Sequence, residues 1–349
     1  MEPIDERHAA VDAYDFREVH PNLRLGTASD RYAAWLGQVY PLDVWGDHVE
    51  VRPRKTSRGT FEERTLPVAS VDDYFQHFNV LELDFTYYRP LADTDGKPEQ
   101  NHFTLDAYAE HAPPDALFIL KAPQQFFSRT LRRSRGGQVS YEPNPQYLDA
   151  DAYVRQFHEP ALELLGERLV GVLFEQEYGR VADSPAPEQF VEDLDQFFGA
   201  LPTDVQPHLE IRSPHLLTED YFRFLEQRAL GFVFAQWQYL PPIREQWQKC
   251  GGLFTAADGN ALCRLLSPRG ISFDDAFSKA YPFEQAVPEW EDAPETQRMI
   301  LDAVALLYRA ETTDTMLNLI VNNRVYGNAP ALAQRIARRV LDEEDKRAG

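Results

Sequence analysis

Eight short apolar, β-prone segments punctuate the chain: LRLGTA (23–28), VLELDFT (80–86), LFILKAP (117–123), LVGVLFEQ (169–176), HLEIR (208–212), GFVFAQW (231–237), ALCRLLS (261–267) and LNLIVNN (317–323). Their length and their branched and aromatic residues read as strands. Most of the gaps between them carry apolar positions at a helical period, over 101–112, 151–166, 186–201, 218–230 and 295–311, and 329–347 follows the eighth strand. Strand, helix, strand in repetition implies parallel strands joined by right-handed crossovers. Eight such units predict an α/β protein built on a closed (β/α)₈ TIM-like barrel, with a doubly wound open sheet as the other arrangement that fits. A single barrel domain is expected over 23–343, after an N-terminal extension (1–22) and before a polar tail (344–349).

Two stretches exceed a minimal barrel. Residues 42–69 form a polar, Arg-rich insertion after the first strand, and 125–150 carry RTLRRSRGG and YEPNPQY after the third. As long loops after strand ends they fall on the C-terminal rim, where barrel active sites sit. They read either as walls of a site or as variable surface.

Within the strands, parity decides what faces the barrel interior. Glu82, Asp84 and Thr86 share one face of the second strand, and Leu81, Leu83 and Phe85 the other. In a closed barrel the apolar set meets the helices, so the acids point inward. The same parity turns His208, Glu210 and Arg212 inward from the fifth strand, Lys121 above Ile119 on the third, and Arg264 on the seventh. Buried charges need partners. Glu82, Glu210, Lys121, Arg212 and Arg264 therefore either neutralise one another or form a site for a polar ligand, with Arg89, Arg129 and Asn323 at its rim.

Composition narrows the partners. The net charge is −21, with six Lys against 29 Arg among 349 residues. Such a field repels nucleic acid and anionic membranes, which makes nucleic acid an unlikely partner and favours a small molecule. Scarce lysine and abundant acid fit a high-salt cytoplasm, and a GC-rich genome gives the same Arg-for-Lys bias. There is no long apolar run, and the N-terminus MEPIDERHAAVDAYDF is polar, so a cytoplasmic protein without a membrane segment is expected. Cys250 and Cys263 lack zinc spacing and read as core thiols.

Of nine histidines only His208 lies in a strand, with His215 just after one, so a His-rich metal cluster is not expected. A hard-cation site from Glu82, Asp84 and Glu210 is the metal alternative. No phosphate loop, dinucleotide fingerprint or G-x-S-x-G is present, so no cofactor is expected. Tyr32, Trp35, Tyr87, Tyr88, Trp237 and Tyr239 gather near strand ends, placed to stack a sugar or base or to seal the rim.

Five motifs in order resemble the YecE-like (DUF72) family, a group of barrel proteins without an assigned function. GTASDRYAAWLGQVYP (26–41) is similar to its opening segment, matching at Gly26, Thr27, Tyr32, Trp35, Gly37, Tyr40 and Pro41. FNVLELDFTYYRP (78–90) matches at Glu82, Thr86, Tyr88 and Arg89, and FILKAPQ (118–124), LEIRSPHLL (209–217) and IVNNRVYGNAPALAQRIA (320–337) resemble the later segments. The resemblance, spanning about 23 to 340, implies the barrel and a pocket at the strand ends, and names no reaction. From the inward-facing charges, the first reading is an enzyme acting on a small anionic or sugar-like substrate. Glu82 and Glu210 are the acid/base candidates and Lys121 completes the catalytic set. Thr27, Tyr32, Tyr88, Arg89, Arg212, Arg264, Asn322 and Asn323 are the ligand or anion contacts. The alternative is a non-catalytic binding or regulatory module using the same pocket.

Overall fold

A computed structural model describes residues 3–56, 59–135 and 138–348. Eight parallel strands form its centre: β1 (Leu23–Ala28), β2 (Val80–Leu83), β3 (Leu117–Lys121), β4 (Leu169–Gln176), β5 (Pro207–Ile211), β6 (Gly231–Gln236), β7 (Asn260–Leu265) and β8 (Met316–Val321). They pair in chain order, and β1 closes the ring by pairing with both β8 and β2. The barrel, not the open sheet, is the fold. Closure is tight at Gly26, where a Cβ would lie 2.0 Å from the Val80 carbonyl oxygen, so only glycine fits.

Alternate strand residues divide two cores. Leu25, Leu81, Leu83, Phe118, Leu120, Phe174, Leu209, Ile211, Phe234 and Leu319 face outward into the helix layer. Ala28, Val80, Ile119, Leu173, Val233, Leu262 and Ile320 pack together inside. The next inward positions toward the rim are charged: Glu82, Lys121, Glu175 and Arg264, each two residues beyond an interior apolar side chain. His208 fills the interior beside Gly171 and Gly231, where added Cβ atoms would meet its ring at 2.9 and 2.1 Å. Burial pushes its pKa down to about 4, so it packs as a neutral ring.

Most strands end earlier than their apolar runs. The second stops at Leu83, and Phe85–Tyr87 coil into a 3₁₀ turn. Thr86 is therefore turned by this coil and not by strand parity, and it stays buried by donating to the Lys121 carbonyl at 2.7 Å. The runs overshoot because rim turns are themselves covered and so need apolar residues.

Both insertions, expected as loops, are antiparallel hairpins, Glu50–Thr56 with Gly59–Thr65 and Thr130–Arg135 with Gln138–Pro143. Their Arg-rich polarity masks strands that stand out from the rim with little core to cover. The last helix runs unbroken through the expected domain end at 343, so residues 344–348 continue it as its final turn. The N-terminal helix Ile4–Asp12 packs against it, with Arg7 on Glu344 at 2.5 Å and Arg338 on Asp12 at 2.7 Å. Cys250 and Cys263 are buried free thiols. Among the described residues, no helix is long and apolar enough to cross a membrane.

Candidate functional site

At the C-terminal ends of the strands, three cations and three carboxylates form one chain of ion pairs. Arg264 grips Glu82 with both edges, Nε to Oε2 at 2.7 Å and Nη2 to Oε1 at 2.6 Å, and its Nη1 donates to Glu210 Oε2. Arg212 Nε donates to Glu210 Oε1 at 2.7 Å and its Nη2 to Glu175 Oε2 at 2.6 Å. Lys121 completes the chain, 2.7 Å from the same Glu175 oxygen and 4.1 Å from the centre of the Tyr87 ring. Glu82, Glu210 and Glu175 are all buried.

Their acidities differ by how many cations each faces. Burial pushes the Glu175 carboxyl up, but the Arg212, Lys121 and Arg264 charges outweigh it and hold it at about 2. Glu82, whose ion pair among the described residues is with Arg264, lies above the ordinary carboxylate range because burial outweighs Arg264 and the more distant Lys121. The Arg264 guanidinium sits between Glu82 and Glu210, which leaves no space between them for the expected alternative of a hard cation. Among the described residues, no group of three His, Cys, Asp or Glu is placed to hold a metal.

Over this neutral platform opens a cavity of about 1620 Å³, walled by both hairpins and by the turns after β1, β2, β4, β7 and β8. Nine Arg or Lys and eight Asp or Glu line it, so it is slightly positive in a chain of net charge −21. Fifteen of its lining residues are aromatic. Tyr88, Tyr178 and Phe273 present large exposed ring surfaces.

Of the described lining cations outside the platform, Arg324 is the one stacked on a ring of the wall with a buried nitrogen left over. Arg324 enters from the short turn Asn323–Tyr326, which Asn322 caps by accepting the Arg324 backbone N–H at 3.0 Å. Its guanidinium lies 4.3 Å over the Phe273 ring. Its Nε is buried without a hydrogen-bond partner among the described residues, and burial lowers its pKa, with Tyr32, Asp84 and Tyr88 in its field. Opposite it, Ser29 holds a left-handed backbone (φ 68°), a strained conformation for a side-chain-bearing residue. That twist aims Ser29 Oγ at Asp84 Oδ1, to which it donates at 2.8 Å.

The structure brings Glu82, Lys121, Arg212, Arg264, Tyr32, Tyr88 and Asn322 to the cavity wall. It does not bring Thr27, Glu210, Arg89 or Asn323 there. Thr27 is buried, donating to the Ser29 carbonyl at 2.7 Å. Glu210 is sealed beneath Arg212 and Arg264. Arg89 is exposed away from the cavity, because the 3₁₀ turn rotates the chain after Leu83. Asn323 accepts from the Trp35 indole at 3.2 Å and the Ala329 N–H at 2.8 Å, and so pins the β8 turn. Sequence reasoning missed Glu175, Arg324 and Asp30. Parity along LVGVLFEQ places Glu175 two residues beyond Leu173 and would have found it. Arg324 and Asp30 lie in turns, where no periodicity points.

The DUF72 family, described as a protein of unknown function, matches residues 24–348. A DUF72-family protein of Thermotoga maritima MSB8 is 18% identical, with a TM-score of 0.52 over 92% of this chain and 99% of its own. Another, from Enterococcus faecalis V583, is 14% identical, with a TM-score of 0.53 over 92% of this chain and 95% of its own. Such distant likenesses concern the fold. Among curated proteins none matches the chain. From β1 to the end of its last helix, the chain belongs to the DUF72 family.

Proposed function

We propose that the protein binds a small anionic molecule carrying a ring with an apolar face, aromatic or sugar, in the rim cavity, with Arg324 as the anion anchor. The observation that carries this reading is the difference between Arg324 and the platform. Lys121, Arg212 and Arg264 each hold carboxylates within 2.7 Å, whereas no carboxylate among the described residues forms an ion pair with Arg324, and its Nε lacks a partner. A guanidinium presents a planar fork suited to carboxylate, phosphate or sulfonate oxygens. Phe273 lies under it and Tyr88 in its field, and Tyr178 exposes a further ring face within the cavity.

The cavity exceeds the several hundred Å³ typical of metabolite pockets, leaving room for a ligand together with water. Its local positive excess concentrates anions that the overall negative charge would repel. The same saturation of the platform favours binding over acid/base catalysis by Glu82, Glu210 and Lys121, whose protons and charges are committed to one another. Mass spectrometry of the small molecules released from the freshly purified protein tests the reading. A recurrent anionic, ring-bearing molecule that rebinds and survives incubation unchanged is expected. A recurrent cationic or acyclic molecule would refute the ligand class, and consumption of the ligand would restore the enzyme reading.

A further inference from the structure

The first hairpin, Glu50–Thr56 with Gly59–Thr65, brings a cation of its own to the cavity. Arg54 lies directly opposite Phe61 across the two strands, and Glu63 follows two residues beyond Phe61, so the three share one face. All three line the cavity. Phe61 packs on Phe277 and Tyr281, with ring centres 4.9 and 5.1 Å apart, and Tyr281 Oη donates to the Glu62 carbonyl. At its root the hairpin is tied to the turn after β1. Thr65 bridges Tyr32 there, and the Leu66 N–H donates to the Arg31 carbonyl at 3.0 Å. The hairpin is thus held at its root and against the wall, with Arg54 on its inward face.

A continuous strip of rings joins Arg54 to Arg324. Phe273 and Phe277 stand four residues apart on the helix Phe273–Ala280, hence on one face, and both line the cavity. Arg324 lies 4.3 Å over Phe273, while Arg54 is the cross-strand neighbour of the Phe61 that packs on Phe277. Phe283 extends the strip to Tyr32, its ring centre 5.3 Å from Phe277 and 5.7 Å from Tyr32. Tyr32 and Tyr88 lie in the fields of both guanidiniums, with Asp84 beside them.

The two cations are held differently. Arg324 forms no ion pair among the described residues and has a buried nitrogen left over. Arg54 pairs with Glu63, but their side chains are 53% and 37% exposed. Water screens such a pair, so it yields to a stronger acceptor at little cost. A phosphoryl group supplies three acceptor oxygens and a charge of about −2 above neutral pH, enough to engage a guanidinium on each side.

We propose that Arg54 and Arg324 form a two-arginine clamp and that the anionic group of the ligand is a phosphate monoester, bound as its dianion with the attached ring against the aromatic strip. The proposal rests on the Arg324 reading and narrows its anion. Binding exchanges the Arg54–Glu63 pair for a contact of Arg54 with phosphate, so the Glu63 charge opposes the ligand.

Phenyl phosphate and phenyl sulfate, alike in shape but differing by about one charge at pH 7.5, separate the clamp from the single anchor. In titration calorimetry with the full-length protein, phenyl phosphate is expected to bind about tenfold more tightly than phenyl sulfate. Arg54→Met is expected to bring the two probes within about twofold of each other, and Glu63→Gln to tighten phenyl phosphate by at least about threefold. Arg52→Met removes the same charge from the same strand at a position that does not line the cavity, and is expected to leave the ratio unchanged. These side chains are exposed on a hairpin, so each variant is expected to keep the wild-type melting temperature.

Equal affinity for the two probes in the wild type, an unchanged ratio in Arg54→Met, or an equal loss in Arg52→Met overturns the clamp and leaves Arg324 standing. If neither probe binds, or if Arg324→Met leaves both unaffected, the Arg324 reading falls and the clamp with it.

Discussion

Removing Arg264 is the sharpest perturbation of the barrel interior. Its side chain is buried and supplies both hydrogen bonds to Glu82, at 2.6 and 2.7 Å. In Arg264→Met, Glu210 keeps Arg212, but Glu82 loses the one ion pair it forms among the described residues. Stranding one member of a buried pair costs about 3–5 kcal/mol. Unfolding entropy near 60 °C is about 2.1 cal/mol/K per residue, or about 0.7 kcal/mol/K for 349 residues, so the melting temperature should fall by about 4–7 °C at pH 7. The sign with pH follows from Glu82. Its folded pKa already lies above the unfolded value and rises further without Arg264, so the variant loses stability as pH climbs through that window and the deficit is smaller at pH 5 than at pH 8.

Scanning calorimetry of the single variant and of Glu82→Gln combined with Arg264→Met completes the test. The double variant strands no charge, so it should melt above the single one. An equal or larger loss in the double variant would refute the reasoning, because the damage would then come from lost packing and not from an orphaned carboxylate.

Glu175 predicts the acid limb. Its folded pKa of about 2 lies below the ordinary carboxylate value of 4.5, so its stabilisation of about 3 kcal/mol is present above pH about 4.5 and is lost as pH falls toward 2. Glu175→Gln should flatten denaturant midpoints measured between pH 5 and 3, and an unchanged slope would count against the three-cation environment. Surface repulsion from a net charge of −21 should be screened by salt, so the melting temperature should rise from low to molar KCl. A flat curve would leave base composition as the better account of the arginine bias.

The barrel and its charged interior were legible because both obey a period. Alternation of two along the strands places Glu82, Lys121, Glu210 and Arg264 inside, and it equally contains Glu175. The residues that make the cavity more than a neutral plug do not obey a period. Asp30 and Arg324 sit two and three positions beyond strand ends, where a left-handed Ser29 and an Asn322-capped turn decide where side chains go. Arg89 illustrates the converse. A motif match placed it at the rim, but the 3₁₀ turn at Phe85–Tyr87 carries it out to solvent. Hairpin segments whose sequence is mostly polar give no clean alternation to read, so the walls of the cavity read as insertions and not as sheets.

The central claim is that Arg324, whose guanidinium lies over Phe273 and forms no ion pair among the described residues, anchors the anion. Calorimetric titration of 2-naphthalenesulfonate into the wild type and Arg324→Met tests it most directly. A charge-assisted hydrogen bond contributes about 1.5–3 kcal/mol, so the variant should bind at least about tenfold more weakly, with its melting temperature unchanged or raised because a half-buried unpaired charge is gone. Equal affinity in the two proteins, or loss of affinity only when Lys121 is replaced, would contradict the claim and return the anion to the paired platform below.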